Sequence, residues 1–407
     1  MSNSDSLKKI WVLMATVFVD MLGFFIVLPL LPFYAEKLGA DPIRVGALVS
    51  TFALAQLVSA PLWGRLSDYY GRRPMILLGL LVAALAYSIF EVADAVWLLF
   101  LSRFVQGAAS GTTGVIQAYV SDSIAREERA KALGWLTAAT SAGVMLGPVV
   151  GSLAVGRIGP GFLAAALCLL NFAFGWRWLP EARMPATPGV KRRGSTRGAI
   201  VEFLLHPSRS LPRLVWIYTF GMMAFMAMNG IFALYLERVF GINERTIGWF
   251  FMYVGGISLI MRSLLLGPAV RWLGERKAMR AGALAVALGM ALAPFAGSIW
   301  VLCAAITFVP CGTALLFPTT TSLVSERAPE GQTGMILGVQ QSFGGVSRML
   351  GPIWAGAVFQ FVGIRWPFWL ASILMVVAFL MAGGIGGADE AAADLDLVES
   401  GLPNVPT

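Results

Sequence analysis

Gly64-Arg-Leu-Ser-Asp68-Tyr-Tyr-Gly71-Arg72-Arg73-Pro74 joins two long apolar stretches, and a looser copy, Gly267-Pro-Ala-Val-Arg-Trp-Leu-Gly274-Glu275-Arg276, follows it. Gly64, Gly71 and Arg73 recur as Gly267, Gly274 and Arg276, and Trp97 recurs as Trp300, all at one offset of 203 residues. After one inserted residue, Asp122, Gly134, Gly147 and Pro148 match Glu326, Gly338, Gly351 and Pro352. Unrelated apolar helices would not hold register over such a distance, so the chain is an internal duplication.

Outward from these loops the chain is almost continuously apolar. Of its 407 residues 57% are hydrophobic and 13% charged, against about a quarter charged in soluble domains. About 20 apolar residues cross a bilayer as a helix. Twelve such spans can be drawn: Ile10–Phe33, Val45–Trp63, Pro74–Phe90, Ala95–Val120, Ala132–Gly156 and Gly161–Leu179, then Leu214–Leu236, Ile247–Val270, Ala278–Ser298, Trp300–Val324, Gly334–Val362 and Trp366–Gly387. The expected fold is an all-α membrane protein of twelve transmembrane helices in two pseudo-symmetric six-helix bundles. The bundles take residues 1–180 and 214–387, with a basic linker at 181–213 and an acidic tail at 388–407.

The pI near 9.7 reflects membrane orientation rather than nucleic-acid binding. Of 30 Lys and Arg, four (Arg103, Arg177, Arg262 and Arg348) lie within spans. Six (Lys37, Arg44, Arg157, Arg238, Arg245 and Arg365) fall on one side and 20 on the other. The positive-inside rule makes the richer side cytoplasmic, with both termini, and the location an inner, cytoplasmic membrane. Ile10–Phe33 is too long for a signal peptide and lacks a small-residue cleavage site, so it reads as a span. Cys168, Cys303 and Cys311 are an odd, scattered set inside apolar stretches, and His206 sits alone in a polar connector, so no disulfide framework or metal-ligand spacing is present.

The loop Gly64–Pro74 combines glycines for a tight turn with an acid, Asp68, and fixed cations at Arg72 and Arg73. It resembles the G-x-L-x-D-x-x-G-R-R/K loop of the Major Facilitator Superfamily. The resemblance implies a conformational latch of Gly64, Asp68, Gly71, Arg72 and Arg73, with Asp122 as partner of Arg72. Arg103-Phe-Val-Gln106-Gly107 resembles the R-F-x-Q-G motif of proton-coupled members. Gly143-Val-Met-Leu-Gly147-Pro148-Val-Val-Gly151 resembles the antiporter motif of drug:proton exporters, where small residues permit close helix approach and Pro148 bends the helix. With Asp20-Met-Leu-Gly23 and Pro29-Leu-Leu-Pro32, the pattern is similar to the tetracycline-exporter branch. It departs at Ala86, where those exporters carry an acid before the tyrosine, here Tyr87. Tetracycline is therefore not the expected substrate, and Glu91, a turn further on, lies too near the surface to substitute fully.

Charge in a bilayer is costly and tends to be functional. Asp20 is the carboxylate nearest the middle of any span, and is either the proton carrier or a structural hydrogen-bonder. Arg103 is its candidate partner, although at about 1.5 Å per residue the two backbones differ in depth by roughly 9 Å. Arg262 and Arg348 stand in second-half helices with no carboxylate in span. They suit either an anionic, carboxylate-bearing substrate or bonds to backbone carbonyls and to Gln340 or Gln341. Tyr218, Met222, Met226 and Asn229 share a face of the seventh span, with Phe317 in the tenth. Such a stripe is either packing or a cavity lining suited to varied lipophilic molecules. Gln106, Gln340 and these side chains complete the candidate substrate contacts.

The expected function is proton-coupled antiport, exporting a small organic molecule or drug by alternating access. A uniporter or an organic-anion or metabolite transporter of the same fold is the alternative, and a membrane sensor or enzyme a more distant one. No cofactor and no metal is expected, the partners being substrate, protons and the lipid bilayer, and the chain is expected to be monomeric.

Overall fold

Long apolar runs become helices because a bilayer offers backbone N–H and C=O groups no water, and a helix satisfies them within one segment. The computed structural model describes residues 3–123, 126–182, 200, 203–207, 209–329 and 332–385. Every regular element among them is helical. The basic cluster Lys191, Arg192, Arg193 and Arg197 and the acidic tail lie outside the described residues.

In the first half, α1 (Asn3–Val27) and α2 (Leu31–Lys37) make one span, interrupted where Pro29 and Pro32 withdraw N–H donors. It is followed by α3 (Pro42–Tyr70) and α4 (Arg72–Glu91). The fourth span is α5 (Val96–Ala109) and α6 (Thr112–Ser123), broken at Ser110 and Gly111; α7 (Arg126–Ala154) and α8 (Pro160–Trp178) complete the set. The second half repeats it. Here α9 (Ser210–Phe240) is followed by α10 (Ile247–Ile260), a π-helical turn (Met261–Leu265) and α11 (Leu266–Leu273), the last three forming one span. Next come α12 (Glu275–Leu292), α13 (Ile299–Arg327), α14 (Thr333–Phe361) and α15 (Trp366–Gly383).

This is a multi-pass membrane protein of twelve spans, of which ten are individually long and apolar enough to cross a bilayer. The other two are the broken fourth span and α14. Helix ends run beyond the apolar cores. The second span, expected at Val45–Trp63, extends over Pro42–Tyr70, its start capped by Asp41, whose Oδ1 accepts from the Arg44 N–H at 2.8 Å. The duplication is visible in the backbone: Gly71 (φ 100°) and Gly274 (φ 75°) occupy matching turns, and α4 and α12 begin on the next residue. Positive φ explains why glycine stands at both.

The chain divides into two compact units. The first comprises Met1–Pro188, Asn229–Leu259 and Pro352–Phe361; the second comprises Gly189–Met228, Ile260–Gly351 and Val362–Thr407. Within the first, α1 packs on α7 and α8, α3 on α5, and α4 on α5 and α8. Within the second, α12 packs on α13 and α15.

Candidate functional site

The loop Gly64–Pro74 is a network of charge-assisted bonds. Arg72 donates from Nε to Asp122 Oδ2 at 3.0 Å, and its Nη1 pairs with Asp68 Oδ1 at 2.7 Å. Its side chain is only 12% exposed; Asp122 is 19% exposed and Asp68 65%. Sequence reading missed Glu181, whose Oε1 accepts from the Arg72 N–H at 2.8 Å and the Arg73 N–H at 3.1 Å. A carboxylate at a helix start satisfies orphan donors and complements the dipole of α4. Arg73 donates to the Trp176 carbonyl and lies over that residue's ring. Gly64 has open space at its Cβ position.

The glycines of the fifth span have a tight neighbour. A Cβ on Gly143 would lie 2.8 Å from the Phe18 carbonyl oxygen, one on Gly147 2.9 Å from that of Leu22, and one on Gly151 inside 3.0 Å of that of Ile26. Thus α7 runs backbone to backbone along the stretch of α1 that brackets Asp20. On the same helix the carbonyl of Pro148 meets Gly248, whose N–H donates to Ser152 Oγ at 3.0 Å.

Asp20 is partly accessible, and Tyr87 and Cys168 are both within its electrostatic reach. The Tyr87 ring covers Gly23, one turn along from Asp20; its hydroxyl carbon and oxygen lie 3.5 and 3.4 Å from where a glycine Cβ would stand. Arg103 forms no ion pair with Asp20. It is 1% exposed, its three side-chain nitrogens have no hydrogen-bond partner among the described residues, and its guanidinium carbon stands 5.6 Å from the centre of the Phe90 ring. Gln106 is 4% exposed, beside the Tyr87 hydroxyl but outside hydrogen-bonding geometry. Burying a cation and an amide without hydrogen bonds is costly.

The first unit also joins second-half segments to first-half helices at the face carrying Lys37. Lys37 Nζ stands 2.6 Å from Glu244 Oε2, and Arg238 Nη2 donates to Glu36 Oε1 at 2.8 Å. Around them the Pro352 carbonyl meets Gly46 and the Pro42 carbonyl meets Gly356, each inside 3.0 Å of a would-be Cβ. None of these four charged residues carries a local sequence signal, because each pair is more than 200 residues apart.

In the second unit, Tyr218 makes an edge-to-face contact with Phe317 at 5.4 Å, and its hydroxyl accepts from Gln341 Nε2 at 3.5 Å. Gln341 is exposed and Arg348 half-buried on the same face of α14. Gln340 is fully buried and donates to Thr321 instead. Met222 is buried, whereas Met226 is half-buried and packs at Gly351. Arg262 sits in the π turn, a distortion often found at functional positions. Asn229 is half-buried and belongs to the first unit.

Comparison with known proteins agrees with this architecture. The sequence profile of the Major Facilitator Superfamily matches residues 13–274 and 214–394. The chain is 27% identical over 378 residues to Multidrug resistance protein 2 of Bacillus subtilis (strain 168), covering 90% of this chain and 92% of that protein. It is 26% identical over 360 residues to the class B tetracycline resistance protein of Escherichia coli, covering 86% and 88%. A bacterial homologue of the human lysosomal transporter Spinster, solved inward-facing and unoccupied, shares the fold with a TM-score of 0.79 at 13% identity, over 95% of this chain and 98% of that one. The duplicated twelve-span fold, the Gly64–Pro74 loop and a profile match across the chain lead to one conclusion: the protein belongs to the Major Facilitator Superfamily of membrane transporters.

Proposed function

We propose that this transporter is a proton-coupled antiporter, exporting a small organic molecule by alternating access from an inner membrane with both termini cytoplasmic. One observation carries the reading. The glycines of α7 clamp α1 on both sides of Asp20, while Pro148 of that same helix touches Gly248 of the second half. A change of charge at Asp20 alters the packing of α1 against Tyr87 and Cys168, and α7 cannot stay in place if α1 moves. The contact at Gly248 then loosens. Proton uptake and the opening of the Lys37 face are thereby one mechanical event.

The excess of basic residues on the Arg72 face makes that face cytoplasmic, so the Lys37 face is external. The relatives named for multidrug and tetracycline resistance support export. The half-buried Asp20, the carboxylate nearest the middle of any described span, is the proton carrier. Arg72 with Asp68 and Asp122 is the latch of the cytoplasmic face. In proteoliposomes, an imposed pH gradient should drive substrate across the bilayer. Equal movement with the gradient collapsed by a protonophore would leave a uniporter as the correct description.

A further inference from the structure

Arg348 is the sixteenth of 29 residues in α14, at mid-depth, where an unpaired guanidinium is costly to hold. It has no ion pair or hydrogen bond among the described residues. The described carboxylates of the second unit are Glu275 and Glu326, both at helix ends, and Glu275 already accepts from Ser322. The amides beside Arg348 do not compensate it either: Gln340 turns to Thr321, and Gln341 to Tyr218.

One aromatic ring, that of Tyr218, meets the same face of α14 at Gly344. Gln341, Gly344 and Arg348 follow at spacings of three and four and therefore share one face of α14. Gly344 leaves a slot: a Cβ there would lie 2.8 Å from Tyr218 Cε1 and 3.7 Å from Arg348 Nη1. The ring of Tyr218 thus lies against Gly344, with Gln341 donating to its hydroxyl and Arg348 Nη1 beside the same glycine. The Phe317 ring stands 5.4 Å from that of Tyr218 and 6.2 Å from that of Phe225. Guanidinium forks match carboxylates in a bidentate geometry, and ring edges and faces take a flat conjugated body.

We propose that Arg348, Gln341, Tyr218 and Phe317 form a half-site for an aromatic organic anion, with its carboxylate on Arg348 and its ring against Tyr218 and Phe317. The proposal rests on the transporter reading and specifies its substrate class. Lipophilic cations, which the Met-lined face of α9 alone would admit, are disfavoured next to an uncompensated guanidinium.

The test is equilibrium binding to the purified full-length protein in nanodiscs, with no gradient, using three probes on one skeleton: 1-naphthoate, 1-naphthamide and 1-naphthylmethylammonium. The wild type should bind naphthoate at least tenfold more tightly than the amide, and the ammonium least. Arg348→Gln should remove that preference, with circular dichroism and the thermal midpoint showing that the variant is folded; Arg348→Lys should retain part of it. Equal binding of all three probes, or naphthoate affinity unchanged in Arg348→Gln, would overturn the site. If naphthoate binds as expected yet moves no protons in liposomes, antiport falls and the site stands. If cations drive proton movement and Arg348 is irrelevant to binding, the site falls and antiport stands.

Discussion

The carbonyl oxygen of Pro148 meets the Cα of Gly248 so closely that no side chain fits between them, and the carbonyl of Pro352 meets Gly46 in the same manner. Pro148 and Pro352 are matching positions of the duplicated halves. Backbone approaches of this kind tolerate no added methyl, and overpacking costs about 1–3 kcal/mol. Gly248→Ala and Gly46→Ala should therefore force the Lys37 face apart. Spin labels at positions 38 and 245, with Cys168, Cys303 and Cys311 replaced by serine, should show a longer-distance population in either variant. Unchanged distance distributions would mean that these contacts do not hold the face closed.

The ion pairs at that face are secondary to the glycine contacts. Lys37 is 60% exposed and Arg238 40%, and exposed pairs contribute only about 0.2–1 kcal/mol. Lys37→Glu should shift the same distance distribution less than Gly248→Ala does, and Lys37→Glu with Glu244→Lys should restore it. A charge reversal with a larger effect than the glycine variants would reverse this ranking.

At the opposite face, burial separates the two carboxylate partners of Arg72. Asp122 is 19% exposed and bonds Arg72 Nε, whereas Asp68 is 65% exposed. Breaking a fully buried pair costs about 3–5 kcal/mol, and a largely exposed one under about 1 kcal/mol. Asp122→Asn should lower the thermal midpoint in detergent by several degrees and Asp68→Asn by little. A larger loss for Asp68→Asn would place the structural weight on the other carboxylate.

Most of the fold was legible because bilayer crossing imposes length and apolarity on each span, and the duplication put Gly71 and Gly274 in register. Span ends were not, since the helices continue past the hydrocarbon on capped polar turns such as that of Asp41. The bond between Arg72 and Asp122 was anticipated only through the resemblance of Gly64–Pro74 to the family's loop, since the two residues are 50 positions apart. Glu181, 109 residues from Arg72, was not, because nothing local marks a carboxylate that caps a distant helix. For the same reason Tyr87 and Cys168 were not recognised as neighbours of Asp20. The depth difference between Asp20 and Arg103 was visible beforehand, and no ion pair joins them. Gln340 and Gln341 could not be told apart without the helix phase, which buries the first and exposes the second.

The most direct measurement of the central claim records proton and substrate movement together, in proteoliposomes carrying a pH dye and a transported compound. Wild type, Asp20→Asn and Asp20→Glu would be run side by side, with circular dichroism confirming the fold. Substrate-dependent proton movement is expected in the wild type, reduced but present in Asp20→Glu, and lost at least tenfold in Asp20→Asn. Proton movement that persists undiminished in Asp20→Asn would contradict the assignment of Asp20 as the proton carrier.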